Sequence, residues 1–414
     1  MGLFNRGRFW GVTLFFVVMC FLVSPVSAQA PAQIKIGATL PVTGGFSAEW
    51  GPRFLEFMMA WEKVVNEEGG VFVKEYNKKI PVKLIVYDDE SVADKSVELY
   101  EKLAAIDKVH FFLGPSSSPI SLRASTVAEK LQIPMIIVEG VDEAIFSRGF
   151  RWMVGAQRFA HTWPIPLFEM INQSNNKKLS SYKTVGIVMS DTPHTKDVGE
   201  GTIEEAKKNN FQVVASELVP FRTMDFSAVI AKLKMANPDL VVLALWDPEQ
   251  IAFIKQALET GYKPKQIYTR FLGKSTLTAI GASGVEGIVG ATCNARKMWD
   301  GRIKKIYGQI KADPYDLAWS TIKYEGLQSI VKAVEIAGTL DREKVMKVFW
   351  DPKTRIDSMW GPNQFYWDVK ERGKTFSGYG TLHPFVAQVQ GGKIVVTWYE
   401  KWADAAYKPG WTPK

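Results

Sequence analysis

The sequence predicts an α/β fold of two doubly wound lobes, each a mostly parallel sheet covered by helices. Three observations carry this prediction. Short apolar runs alternate with helix-period segments for about 250 residues. The rhythm breaks and then restarts near Thr184. The chain, at 414 residues, is too long for one ordinary core and comfortable for two.

The elements follow in order. Ile34 to Leu40 reads as a strand, with a Gly-rich turn at Thr43-Gly44-Gly45 and a helix from Pro52 to Glu67 that stops on Gly69-Gly70. Val82 to Tyr87 is the next strand and Ser96 to Ala105 the next helix. His110 to Leu113 and Pro134 to Val138 are short apolar strands, with a helix over Ser121 to Leu131 between them. After the break come strand Thr184 to Met189, helix Glu200 to Asn209 and strand Gln212 to Glu217. Helix Phe226 to Met235, strand Leu240 to Leu245, helix Glu249 to Thr260 and strand Ile288 to Cys293 complete the alternation. In such sheets ligands bind beyond the carboxyl ends of the strands, so a cleft between two of them is the expected site.

The N-terminus reads as an export signal. Arg6 and Arg8 precede an apolar run from Trp10 to Val23, about 14 residues against the ~20 needed to span a bilayer. Val26-Ser27-Ala28 supplies small residues for cleavage after Ala28, with Ala30 the second choice. Val18-Met19-Cys20-Phe21 lacks the small residues of a lipobox, which sets lipidation of Cys20 aside. Residues 1–28 are therefore read as a signal peptide and the mature chain as periplasmic.

Cleavage removes two arginines, taking the formal charge from +8 to about +6, and leaves Cys293 as the one cysteine. A lone cysteine makes no internal disulfide, so the core holds the fold. The excess charge is scattered in short pairs such as Lys177-Lys178, which describes a solvated surface and excludes a nucleic-acid groove. The 14 tryptophans offer rigid stacking surface, mostly for the core and in part for a pocket wall.

No catalytic or metal-binding set emerges. His110, His161, His194 and His383 have no ligand spacing, and no cysteine pair exists for zinc. No G-x-S-x-G elbow occurs. Gly273-Lys274-Ser275 resembles the tail of a phosphate-binding loop, but Tyr268 stands where that loop needs glycine. The expectation is a binding protein with no enzymatic activity, cofactor or metal.

Polar and aromatic residues do gather at strand ends. Gly114-Pro115-Ser116-Ser117-Ser118 links a strand to a helix, where hydroxyls and free N–H groups suit a carboxylate; a plain serine N-cap reads equally well. Glu139-Gly140-Val141 and Trp246-Asp247 also follow strands, as cleft residues or as turn chemistry.

Taken together, these blocks resemble the solute-binding proteins of branched-chain amino acid ABC transporters, the leucine/isoleucine/valine-binding type. The resemblance rests on Ile34 to Gly37, Pro41-Val42-Thr43-Gly44, Trp50-Gly51, Asn66-Glu67-Glu68-Gly69-Gly70 and Val86-Tyr87-Asp88-Asp89. Leu113-Gly114-Pro115, Asp225-Phe226-Ser227, Asn237 to Val242, and Trp360-Gly361-Pro362 through Val386 to Val389 continue it over the whole mature chain. It implies two Rossmann-like lobes joined by a three-segment hinge, the type I periplasmic binding protein fold. The crossings then fall near Val154 to Gln157, Val289 to Cys293 and Phe376 to Pro384. Residues 33–154 plus 293–375 form the N-terminal lobe, and 157–289 plus 385–414 the C-terminal lobe. Cys293 would sit in a hinge strand as an inert buried thiol.

The resemblance also implies site residues. Trp50 falls where an aromatic ring meets the ligand; Ser117 and Ser118 bracket the carboxylate-binding serine, with Ser118 preferred by spacing. Gly140 and Val141 fall on a carboxylate-gripping loop, with Glu139 intruding. His194 stands at a position often Tyr, and Trp246 or Asp247 at a second aromatic position. Where acidic residues hold the α-ammonium of an amino acid, this chain carries Arg158 and Ser275. A guanidinium repels an ammonium, so the expected ligand is a small carboxylate, amide or amino-acid-like molecule, aromatic bodies included. The opposing reading turns Arg158 to solvent and lets Glu139 or Asp247 supply the charge, as a true branched-chain amino acid binder requires. The implied partners are the ligand and the membrane permease and ATPase subunits of an ABC importer. A periplasmic sensor feeding a signalling partner is the alternative.

Overall fold

The computed structural model describes residues 1–2, 29–311, 317, 319–359 and 361–413. The leader features at positions 6–28, with cleavage after Ala28, lie outside the described residues, as does Trp360. Among the described residues no helix is long and apolar enough to cross a membrane.

Two large sheets organise the molecule. The first runs in the order Tyr379–Leu382, Met153–Gln157, Met135–Ile137, Phe111–Leu113, Ile34–Leu40 and Val82–Asp88, and every pairing in it is parallel. Its central strands are buried on both faces, as Phe111-Phe112-Leu113 shows, because helices cover a parallel sheet on each side. The second sheet runs Lys393–Trp398, Phe385–Gln390, Val289–Thr292, Gln266–Thr269, Leu240–Ala244, Thr184–Ser190 and Gln212–Val219. This sheet is mostly parallel, as expected. Phe385–Gln390 and Lys393–Trp398 run antiparallel at one edge, joined by the tight turn that Gly391-Gly392 permits at positive φ.

Several boundaries differ from the sequence reading for physical reasons. The helix expected from Ser121 begins at Ser118, with Pro119 in its first turn, where proline's missing N–H costs nothing. The helix expected from Glu200 begins at Pro193 for the same reason. Its first two turns carry His194, Thr195 and Gly199 rather than an apolar stripe, so periodicity is silent there. Gly201 on this helix lies so close to the segment after Gln157 that a Cβ would sit 1.9 Å from the His161 carbonyl oxygen. Strand Gln266–Thr269 and helix Ile165–Asn176 were not anticipated.

The chain passes between the sheets three times: after Gln157, after Thr292, and between Leu382 and Phe385. After the second passage, helices Gly301–Ile310 and Ser320–Ala337 return to the first sheet's side and pack on helix Pro52–Glu67. Arg302 Nη2 seals this return with a 2.7 Å pair to Glu68. Cys293 is free and buried at the second passage, where burial pushes its thiol well above the ordinary range. An un-ionised thiol is inert.

Candidate functional site

Both sheets have the strand order that reverses direction beside their first strands, between Ile34–Leu40 and Phe111–Leu113 and between Thr184–Ser190 and Leu240–Ala244. The crevices beyond these carboxyl ends face each other and enclose a cavity. From the side of the first sheet come Trp50, Ser117, Ser118, Glu139 and Gln157; from the side of the second come His194, Trp246 and Arg270. Trp163, just after the first passage, and Trp319, at the start of helix Ser320–Ala337, complete the wall. The rings close the remaining space to about 10 Å³, roughly enough for one water.

The aromatic residues form a continuous wall. Trp246 lies 6.1 Å from Trp50 and 5.7 Å from His194, ring centre to ring centre. His194 meets Trp163 edge to face at 4.9 Å, and Trp163 adjoins Trp319 at 5.2 Å. Burial, aided by the Arg270 charge, holds His194 well below the usual imidazole range, so it faces the cavity neutral at pH 7.

Two buried ion pairs flank the rings. Lys323 Nζ lies 2.8 Å from Glu139 Oε2, both side chains 3% exposed or less. Arg270 Nη2 lies 2.6 Å from Glu49 Oε1 across the two lobes, equally buried. Arg270 also donates from Nε to the Leu245 carbonyl and sits 4.6 Å from the centre of the Trp246 ring. Burial pushes the Glu49 carboxyl up to about 7 against the pull of Arg270.

The cavity concentrates unmet hydrogen-bonding capacity. Ser117 Oγ, Glu139 Oε1, Gln157 Oε1, both His194 ring nitrogens and the Nε1 atoms of Trp50, Trp163 and Trp319 are buried without a hydrogen-bond partner. Each such atom costs about 1–3 kcal/mol, and native interiors hold few. Ser117 is additionally held at φ +76°, a conformation rare for a non-glycine residue that clusters at functional sites. Its hydroxyl makes no cap bond, so the N-cap reading of this serine does not describe it.

Of the other sequence candidates, Ser118 lines the cavity with its hydroxyl already engaged, and the rest take other places. Ser118 Oγ accepts from the Val141 N–H at 3.1 Å. Gly140 backs onto Ser121, where a Cβ would come within 2.5 Å, and Val141 is buried beside it. Asp247 is buried and accepts from Gln250 and Thr276, and it also bonds the Ser275 side chain; the two belong to one network inside the second lobe. Arg158 does not reach the cavity: its guanidinium faces Glu371 at 3.4 Å and is a third exposed.

Glu49, Gln157, Trp163, Arg270, Trp319 and Lys323 were not singled out as site residues. Glu49 adjoins the expected Trp50, which is a usable signal. Arg270 follows a strand that the sequence reading missed, and Trp319 and Lys323 fall beyond the region where it placed elements.

One of the four histidines lies beside two carboxylates in the fold. Glu143, His161 and Asp197 each present one ligand atom within 4.8 Å of the others. Arg372 Nη1 and Lys374 Nζ pair with the Glu143 carboxylate.

Comparison with known proteins places this geometry in context. A family model described as periplasmic binding protein matches residues 33–379. Leu/Ile/Val-binding protein homolog 7 of Brucella abortus is 24% identical over 372 residues, 86% of each chain. The crystal structure of a putative branched-chain amino acid ABC transporter from Silicibacter pomeroyi superposes with a TM-score of 0.73 at 16% identity, covering 92% of this chain and all of the other. A solute-binding protein of an ABC transporter from R. palustris, in complex with 4-hydroxybenzoate, gives a TM-score of 0.68 at 20% identity, over 88% and 95% of the two chains. At these identities the solved structures speak for the fold.

Proposed function

This chain belongs to the periplasmic binding protein family, and from that premise we propose that it is the extracytoplasmic solute-binding component of an ABC importer for a small carboxylate. The single observation that carries the ligand class is the set of unpartnered buried polar atoms converging on an aromatic-walled cavity between the lobes. Ser117 Oγ, with the first N–H groups of helix Ser118–Leu131 beside it, receives the carboxylate. Trp50, Trp163, Trp246 and Trp319 hold a planar body, and Gln157 and Glu139 accept from its hydroxyl or N–H groups. The R. palustris protein bound to 4-hydroxybenzoate supports an aromatic acid as cargo.

The three passages act as the hinge, dividing the chain into lobes of 33–154 plus 293–375 and 157–289 plus 385–414. With about 10 Å³ free, the ligand enters only when the lobes part. It then stabilises the closed state by bridging both crevices. A membrane permease reads the closed surface.

A second ligand reading has its own observation. Glu139 Oε1 is buried, unpartnered and on the same wall as Ser117, which suits the α-ammonium of an amino acid, and the Brucella abortus relative is named for Leu/Ile/Val binding. A thermal-shift screen followed by calorimetry with 4-hydroxybenzoate, benzoate, leucine and valine tests both. Micromolar binding of an aromatic acid is the expected result; tight leucine binding with no response to aromatic acids overturns it.

A further inference from the structure

A second hollow opens on the outer side of Trp246. It has a volume of about 310 Å³, within the range of small-molecule sites, whereas the inner cavity is nearly filled. Its walls come from both lobes: Phe46 from the first, and Phe221, Met224 and Trp246 from the second. Phe46 and Phe221 lie 5.1 and 6.4 Å from Trp246, ring centre to ring centre. Phe221 and Met224 are 38% and 54% exposed, although large apolar side chains normally seek cover.

The hollow and the inner cavity share a partition. Trp246 lines both, Glu49 lines the hollow, and its partner Arg270 lines the cavity. Glu49 Oε2 is buried without a partner in that partition. At the rim, Arg222 closes across the lobes onto Gly45, where a Cβ would lie 2.8 Å from Nη2. The Arg222 guanidinium lies over the Phe221 ring at 5.2 Å, and among the described residues no carboxylate pairs with it. Glu249 fixes this rim in place. Its Oε1 accepts the Arg222 backbone N–H at 2.6 Å and its Oε2 accepts the Trp246 backbone N–H at 2.9 Å.

We propose that the hollow is a second subsite for the same ligand. It takes an apolar aryl or alkyl arm longer than a branched-chain side chain, while the acid group occupies the inner cavity. The substrate class is then an elongated arylalkyl or alkyl carboxylate. The inference rests on the carboxylate reading above and adds the arm. The Trp246 wall common to both spaces and the apolar walls from both lobes fit that occupant.

The test is calorimetry with benzoate and 4-phenylbutyrate on the mature protein and on Phe221→Ser and Met224→Ser, two partly exposed positions that tolerate polar side chains. Thermal unfolding checks that both variants fold. Burying the arm is expected to make 4-phenylbutyrate at least about ten-fold tighter than benzoate. Each variant is expected to weaken 4-phenylbutyrate several-fold and to move benzoate less than two-fold. Equal affinity for the two acids, or equal loss of both in the variants, overturns the arm and leaves the carboxylate reading standing. Binding of leucine with neither acid recognised overturns both.

Discussion

Glu49 Oε1 and Arg270 Nη2, 221 residues apart in sequence, meet at 2.6 Å inside the interface between the lobes. Glu49 also accepts the Asp247 backbone N–H at 3.2 Å, so one carboxylate ties the first lobe to two segments of the second. Removing one partner of such a pair strands the other. Arg270→Met is expected to cost about 3–5 kcal/mol at pH 8. The loss shrinks at pH 5.5, because Glu49, with its carboxyl raised to about 7, takes up a proton. Urea unfolding at both pH values measures this, and Glu49→Gln/Arg270→Met should lose less than the sum of the single variants.

The two serines of the helix entrance separate binding from folding. Ser117→Ala removes a hydroxyl that has no partner, so stability should hold. Affinity for the carboxylate should fall roughly 10- to 150-fold, since a hydrogen bond to a charged group contributes about 1.5–3 kcal/mol. Ser118→Ala instead strands the buried Val141 N–H and should destabilise by about 1–3 kcal/mol. Calorimetry and urea unfolding on both variants decide.

Arg158 tests the cavity from outside. Its 3.4 Å contact with Glu371 is a third exposed, and such pairs contribute about 0–1 kcal/mol. Arg158→Ala should therefore leave ligand affinity within about two-fold. A collapse of binding would show that the ligand lies elsewhere.

Asp197 gives the interface a pH dependence. Burial, then the charges of Asp142 and Glu143, raise its carboxyl from the ordinary value of 3.8 to about 8. The native state thus keeps a proton that the unfolded chain releases. Its contribution is fully present below about pH 4 and is lost as pH rises toward about 8. Asp197→Asn should consequently be more stable than the parent at pH 8.5 and gain less at pH 5. Melting curves at the two pH values check the sign.

Much of the fold is legible in the sequence because secondary structure writes a local period. The strand Ile34–Leu40 and helix Pro52–Glu67 fall where apolar spacing and Gly69-Gly70 put them. The first two turns of helix Pro193–Lys208 do not, since they face a lobe interface instead of an ordinary core. Of the site, Ser117, Glu139 and Trp246 are visible as residues at strand ends, Trp50 and His194 only through the family resemblance, and the structure gathers them around one cavity.

By itself the sequence determined the class of fold, the succession of two sheets and the sheet edge at which the candidate site lies, because each depends on neighbours a few residues apart. Only the tertiary structure decided which charges share the cavity. It sends Arg158 to Glu371, joins Arg270 to Glu49 and seats Lys323 beneath Glu139. A buried charge is tolerated only where a partner reaches it, and that partner comes from whichever distant segment the packing of two sheets brings within about 3 Å, a distance no local pattern records.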